Sequence, residues 1–320
     1  MSVIAEFARK LHETESPKFD RKLEPVEYPG RNEKLHEIRA VICDVYGTLI
    51  NYWKPQFDNV ETKSDALLGA FKKVINRFEM AETLKKINGS ESSEKTLSDF
   101  YHGLISLQHE KAAQKGTDFP EVKIEEVWNV IIMILKRHGY NFSKYNNDEL
   151  SRIMAFSYNF YSLGRTLFPG VVEALDALKS KNIVIGILSN AQFYTPIDLT
   201  LLIRETCNEK YDDFNELFDS DLTFFSYEYG VAKPNQLLFR RLYDALYEYQ
   251  ILPSQTVFVG NDLLLDIKPA MEVGMKTALF SGDRESTFLH DLAGSVIPDI
   301  TFQSWNELPD MISFHSEEKK

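Results

Sequence analysis

The sequence predicts an α/β fold, a parallel sheet covered by helices on both faces and interrupted after its first strand by a helical insertion. Three observations predict it. Short apolar runs rich in β-branched residues (Ile38–Val45, Ile183–Leu188, Leu222–Phe225, Thr256–Val259 and Lys276–Phe280) alternate with helix-period segments, which implies βαβ crossovers. Between the first and second runs, residues 52–164 repeat apolar side chains at three- and four-residue spacing with no strand pattern. The chain has 320 residues, 43% of them apolar, which suits two unequal domains with sizeable cores.

Taken in order, residues 1–36 are charged, carry Pro17, Pro25 and Pro29, and show only a short amphipathic stretch at Val3–Leu11; they read as an N-terminal arm. Ile38–Val45 reads as a buried parallel strand that runs into a Tyr46-Gly47-Thr48 turn. The insertion offers helices at Ala66–Phe78, Thr96–Ala113, Ile124–His138 and Glu149–Leu163. After Phe168-Pro169-Gly170 the sequence predicts helices at Val171–Ser180, Pro234–Tyr249 and Ile267–Val273 between the remaining strands. The expected division is therefore an arm 1–36, a core from 37–51 and 165–315, and a helical domain 52–164, with Ser316–Lys320 frayed.

Composition narrows the function classes. Against 36 basic residues stand 48 acidic ones, a net charge of −12, which would repel a phosphate backbone and argues against nucleic acid as a partner. Cys43 and Cys207 are the only cysteines, so neither a disulfide framework nor a zinc cluster is signalled, and a reducing cytoplasm fits best. Met1–Lys10 lacks the apolar run of a secretory signal, and no segment is apolar over the length a membrane helix needs. A small anionic metabolite remains the expected partner, recognised through a local lysine or metal. His12, His36, His102, His109, His138, His290 and His315 show no ligand-like pairing and read as surface or core positions.

Open parallel sheets bind ligands beyond the carboxyl ends of their strands. Those ends deliver Asp44, then Ser189-Asn190, then Lys233-Pro234 at a helix start, then Gly260-Asn261-Asp262 with Asp266 four residues on. Asp262 and Asp266 repel one another at this spacing unless a cation compensates them. An oxygen-loving ion such as Mg²⁺ suits Asp44, Asp262 and Asp266 without histidine or cysteine.

Four segments carry a resemblance: DVYGTL from Asp44 to Leu49, ILSNA from Ile187 to Ala191, SYEYGVAKPNQLLF from Ser226 to Phe239, and VGNDLLLDI from Val259 to Ile267. In this order and spacing they are similar to the haloacid dehalogenase-like (HAD) hydrolases, over about residues 38–50 and 165–285. The resemblance implies a Rossmann-like three-layer parallel core with an inserted all-helical cap whose closure excludes water. It implies Asp44 as nucleophile, Ser189 and Lys233 as holders of the transferring group, and Thr48 and Asn190 as substrate contacts. It also implies Mg²⁺ held by Asp44, the Tyr46 carbonyl, Asp262 and Asp266.

The pattern departs at Tyr46, where phosphatases of the family place a second aspartate as acid and base. A phenol titrating near 10 is poorly matched to that cycle. Tyrosine in this place is similar to the 2-haloacid dehalogenase branch, in which Asp44 would attack carbon without metal. Asp262 and Asp266 match the metal-dependent branch, and crowded carboxylates favour a cation. The sequence therefore predicts a Mg²⁺-dependent hydrolase of a phosphorylated or similar anionic metabolite. The alternatives are a metal-independent dehalogenase and a weakly catalytic protein that captures a phosphorylated ligand. Cys43 should point away from the Asp44 face. Tyr52 and Trp53 either line the substrate pocket or pack the hinge, and apolar Leu263-Leu264-Leu265 predicts contact with the cap or with a second subunit, as in a homodimer.

Overall fold

The computed structural model describes residues 2–15, 22–53, 60–145, 148–208 and 210–314. The chain divides into two compact units, one of Met1–Phe19 with Trp53–Gly164 and one of Asp20–Tyr52 with Arg165–Lys320. The expected frayed end, Ser316–Lys320, lies outside the described residues.

The second unit is built on a six-stranded sheet of β1 (Ala40–Cys43), β2 (Val184–Ser189), β3 (Thr223–Phe225), β4 (Thr256–Gly260), β5 (Lys276–Phe280) and β6 (Ile300–Phe302). All neighbours are parallel, in the order β3-β2-β1-β4-β5-β6. At the centre, Ala40 to Cys43 pair with Val184 to Ile187 on one side and with Thr256 to Val259 on the other. Strand alternation separates two cores. Val41, Cys43, Ile185, Ile187, Val257 and Val259 face Leu175, Leu178 and Leu199 on one side. Ala40, Ile42, Leu188 and Phe258 face Leu238, Phe239, Leu242 and Leu246 on the other. Each fully buried Leu or Phe in these layers stabilises the fold by about 1.5–3 kcal/mol relative to exposure. The result is the three-layer α/β architecture the sequence predicts.

Boundaries move by a few residues where end chemistry decides. Asn235 accepts a hydrogen bond from Leu237 N at 2.9 Å, so the helix expected from Pro234 spans Gln236–Glu248. The expected helix Ile267–Val273 is instead a π-helical turn, Leu263–Ile267, followed by Lys268–Glu272. Helices at Val171–Ser180 and Thr195–Thr206 and a parallel pair of Leu35–Ile38 with Ile312–Phe314 also belong to this unit.

The insertion leaves and re-enters this unit through an antiparallel pair, Ile50–Asn51 with Thr166–Leu167. Its own unit contains helices at Val60–Arg77, Ala81–Ile87, Ser93–Gln114, Ile124–Arg137 and Leu150–Ser162. Its core includes Phe71 stacked on Tyr158 with ring centroids 4.1 Å apart, and buried Trp128 and Phe156.

The expected arm is two different pieces. Val3–Glu15 is a helix of the helical unit because Ile4, Ala8 and Leu11 form one apolar face; Ile4 N donates to Glu149 Oε2 at 2.7 Å and Phe7 meets Phe156 edge-on. Residues 22–34 run along the sheet unit instead, where Val26 N donates to Ser281 O at 2.8 Å and Tyr28 Oη to Val296 O at 2.8 Å. Among the described residues, no helix is long and apolar enough to cross a membrane.

Candidate active site

The strand order reverses between β1 and β4, and ligands bind at such a switch point beyond the carboxyl ends. Asp44 follows β1 directly, Ser189 ends β2, and Asn261-Asp262 follow β4. The turn after Asp44 is tight: Gly47 N donates to Ile50 O at 2.8 Å, and Gly47 has φ +89°. A Cβ at this position would run into the Asn261 side chain. Glycine is required on both counts.

Lys233 is the hub. Its ammonium lies 2.7 Å from Asp44 Oδ1 and 2.5 Å from Asp266 Oδ1, with the side chain 2% exposed. Burial works to lower its pKa, but the charges of Asp266 and Asp44 outweigh burial and hold it above its ordinary value. Ser189 Oγ donates to Asp44 Oδ1 at 3.0 Å. Thr48 Oγ1 is shared between Asp44 Oδ2 at 3.2 Å and Asn261 Oδ1 at 2.8 Å. Asn190 spends its amide on the backbone of Lys233: Lys233 N donates to Oδ1 at 2.6 Å and Nδ2 to Lys233 O at 3.2 Å. It thus fixes the lysine's position.

Asp266 Oδ2 accepts from Asn261 N at 3.2 Å and Asp262 N at 3.1 Å. Gly260 leaves room for it, since a Cβ there would overlap the carboxylate. Burial first, and then the neighbouring carboxylates, raise Asp266 to about 7 against the pull of Lys233. The repulsion between Asp262 and Asp266 that the sequence signals is thus answered in part by an ammonium and two amides. Asp44, Asp262 and Asp266 are all buried beside one buried lysine, so the group keeps an excess of negative charge. Its donors are all oxygens, which fits a hard divalent cation. Among the described residues, no three His, Cys, Asp or Glu side chains close around one point, and Lys233 stands between Asp44 and Asp266.

The haloacid dehalogenase-like hydrolase family model matches residues 38–274. The chain belongs to this family. Among curated relatives, it is 24% identical over 203 residues to a glyceraldehyde 3-phosphate phosphatase of Methanocaldococcus jannaschii, covering 60% of this chain and 81% of that protein. A protein of the same name from Pyrococcus furiosus is 27% identical over 172 residues, which span 50% of this chain and 65% of the relative. Among solved structures, a 2-haloacid dehalogenase of Pseudomonas syringae aligns with TM-score 0.53 at 18% identity, over 86% of this chain and 97% of that one. That likeness is one of fold. The chain is thus a hydrolase of the HAD type with phosphatase relatives.

Tyr46, the position where the family pattern departs, turns its hydroxyl to Thr195 Oγ1 at 3.0 Å. Burial, and after it the Asp198 carboxylate, push this phenol well above its ordinary value. Asp198 and Arg165 form a buried ion pair at 3.5 Å behind it. Neither residue carries a signal in sequence. Tyr52 belongs to the sheet unit, and burial, followed by the charges of Asp44 and Asp262, raises its phenol to about 12. Trp53 is buried and belongs to the helical unit. Cys43 is fully buried at the end of β1, and desolvation raises its thiol far above the reactive range. Of the three leucines expected to contact the cap or a second subunit, Leu263 is instead core, packed with Tyr28, Leu279 and Val296, whereas Leu264 is exposed. His290, read as a surface or core position, in fact reaches Asp262 at 2.9 Å.

Proposed function

We propose that the chain hydrolyses a small phosphorylated metabolite by covalent catalysis at Asp44, with Mg²⁺ as cofactor. One observation carries the reading: a buried carboxylate at the end of the central strand, held through Oδ1 by Lys233 at 2.7 Å and Ser189 at 3.0 Å. Oδ2 carries the longer Thr48 contact and is the better placed nucleophile. Its electron pair forms a bond to phosphorus, the ester P–O bond breaks, and the leaving oxygen keeps the electrons of the broken bond and takes a proton from solvent. Water next attacks phosphorus and loses a proton to solvent, the bond from phosphorus to Asp44 breaks with its electrons returning to the carboxylate, and phosphate departs. Lys233 and Ser189 stabilise the charge on the transferring oxygens.

Asp44, Asp262 and the Tyr46 carbonyl would hold the ion. Asp266 would join them less readily, because its Oδ1 meets the Lys233 ammonium at 2.5 Å and its Oδ2 accepts two backbone amides. When bound, Mg²⁺ supplies positive charge that relieves repulsion between an anionic nucleophile and an anionic substrate. The names of the phosphatase relatives support this choice of substrate class.

A second reading, displacement of halide from carbon by Asp44, is favoured by Tyr46, which puts a phenol bonded to Thr195 where a phosphatase needs a carboxylic acid. Phosphate and halide release, assayed with Mg²⁺ and with EDTA, separates the two. Mg²⁺-dependent phosphate release supports the first, and EDTA-resistant halide release from a 2-haloacid overturns it. Stabilisation by a phosphorylated ligand without turnover would leave a binding protein.

A further inference from the structure

The loop after β5 folds back onto the loop that carries Asp262. Two backbone bonds stitch them together, Phe288 N to Asn261 O and Leu263 N to Phe288 O, each 2.9 Å. Two residues beyond Phe288, His290 places Nε2 2.9 Å from Asp262 Oδ1 and 3.0 Å from Oδ2. An ionised carboxylate only accepts, so Nε2 carries the hydrogen of this contact. Oδ1 also accepts from Leu264 N and Leu265 N, both at 2.8 Å. Three donors therefore fix Oδ1, while Oδ2 meets His290 alone among the described residues. The imidazole spans both oxygens and sets how the carboxylate is turned.

We infer that His290 is a positioning residue that holds the Asp262 carboxylate in the orientation in which Oδ2 receives a divalent cation. The inference rests on the reading of Asp262 as a Mg²⁺ ligand. Donors behind a ligating carboxylate typically contribute about 10- to 100-fold to metal affinity. The His290 side chain is 36% exposed, so it adds little to the core, and its loss should show in metal binding more than in folding. His290 also has φ 51°, in the left-handed region, which asparagine tolerates well. That makes asparagine the replacement that spares the backbone while withdrawing the donor, since its amide matches the near ring nitrogen rather than Nε2. Glutamine extends its amide to about the reach of Nε2.

The test is calorimetric titration of Mg²⁺ into metal-free protein, for wild type, His290→Asn and His290→Gln, with melting curves in EDTA as the fold control. His290→Asn should weaken Mg²⁺ binding at least about 10-fold with little change in the EDTA melt, and His290→Gln should stay within about threefold of wild type. Should His290→Asn fail to fold, His290→Phe, which keeps the ring without a donor, supports the inference by the same loss. An Asn or Phe variant that binds Mg²⁺ as tightly as wild type, or more tightly, overturns the positioning role alone. So does a Gln variant as weak as the Asn variant. Wild type that binds no Mg²⁺ at millimolar concentration overturns the metal reading, and the role of His290 with it.

Discussion

Replacing Lys233 by methionine keeps the length of the side chain and removes its charge. In the structure that charge lies 2.7 Å from Asp44 and 2.5 Å from Asp266. At an effective dielectric constant near 20, each contact is worth about 6 kcal/mol before desolvation is subtracted. Most of this is offset by the cost of burying the charges, and removal of one partner from a buried pair typically costs about 3–5 kcal/mol net. For a unit of this size that corresponds to a fall in melting temperature of roughly 10 °C.

The loss should depend on pH, with a definite sign. Burial raises Asp266 from 3.8 to about 7 in the folded chain, against the lowering pull of Lys233. A carboxyl raised on folding favours the fold when protonated, so its penalty is absent near pH 4 and grows as pH rises through about 7. Without Lys233 the group titrates higher still, and the variant keeps a proton that wild type has lost. The deficit of Lys233→Met should therefore be largest near pH 8.5 and smallest near pH 5.5, in melts recorded with EDTA. A variant as stable as wild type at pH 8.5, or a deficit that does not change with pH, would refute this account of the cluster.

Further substitutions address the rest of the site. Asp44→Asn should keep the fold and remove turnover, because the amide is nearly isosteric and a far weaker nucleophile; retention of more than a few per cent of activity would contradict the covalent role. Mg²⁺ should raise the melting temperature of wild type, and Asp262→Ala should abolish that response while its EDTA melt stays cooperative. Tyr46→Phe removes the bond to Thr195 at about 1 kcal/mol and should change aryl phosphate turnover only severalfold; a drop of about 100-fold or more would identify the phenol as an acid or base. Gly47→Ala forces a Cβ onto Asn261 at a positive φ and should cost about 1–3 kcal/mol, together with much of the activity; a melt unchanged from wild type would count against the tight turn.

The strands around the site were legible because each is a short apolar run, buried on both faces, that ends in polar residues. Ile300–Phe302 was missed because Pro298 and Asp299 precede it and Thr301 sits inside it, so no unbroken apolar run marks it. The seven-residue helix Ala81–Ile87 is too short for a helical period to register. Asp44, Ser189, Lys233 and Asp266 do converge, and their places at strand ends foretold it. Asn261 was seen only as part of a strand end, although it accepts from Thr48 and its amide reaches Ser286 O. His290 could not be read: a lone histidine between Leu289 and Asp291 has no spacing to interpret. Its bond to Asp262 exists only because a loop 28 residues downstream returns. Thr195, Arg165 and Asp198 were silent for the same reason, since Tyr46 meets them through the tertiary fold.

The antiparallel pair of Ile50–Asn51 with Thr166–Leu167, extended by Phe168 N donating to Leu49 O at 2.9 Å, makes the insertion modular. Seen from the sheet, more than a hundred residues are equivalent to the tip of a hairpin, because the chain departs and returns at adjacent backbone positions. The entropy of closing a loop grows only slowly with its length, and here the closure is fixed by local pairing rather than by whatever lies between. Such a junction permits exchange. The inserted segment can drift, lengthen or be replaced without disturbing the register of the central strands, and a tight turn from Asn51 to Thr166 should leave the six-stranded order intact. Val3–Glu15, which packs on the inserted helices, would have to leave with them, so the exchangeable cassette has two parts in sequence.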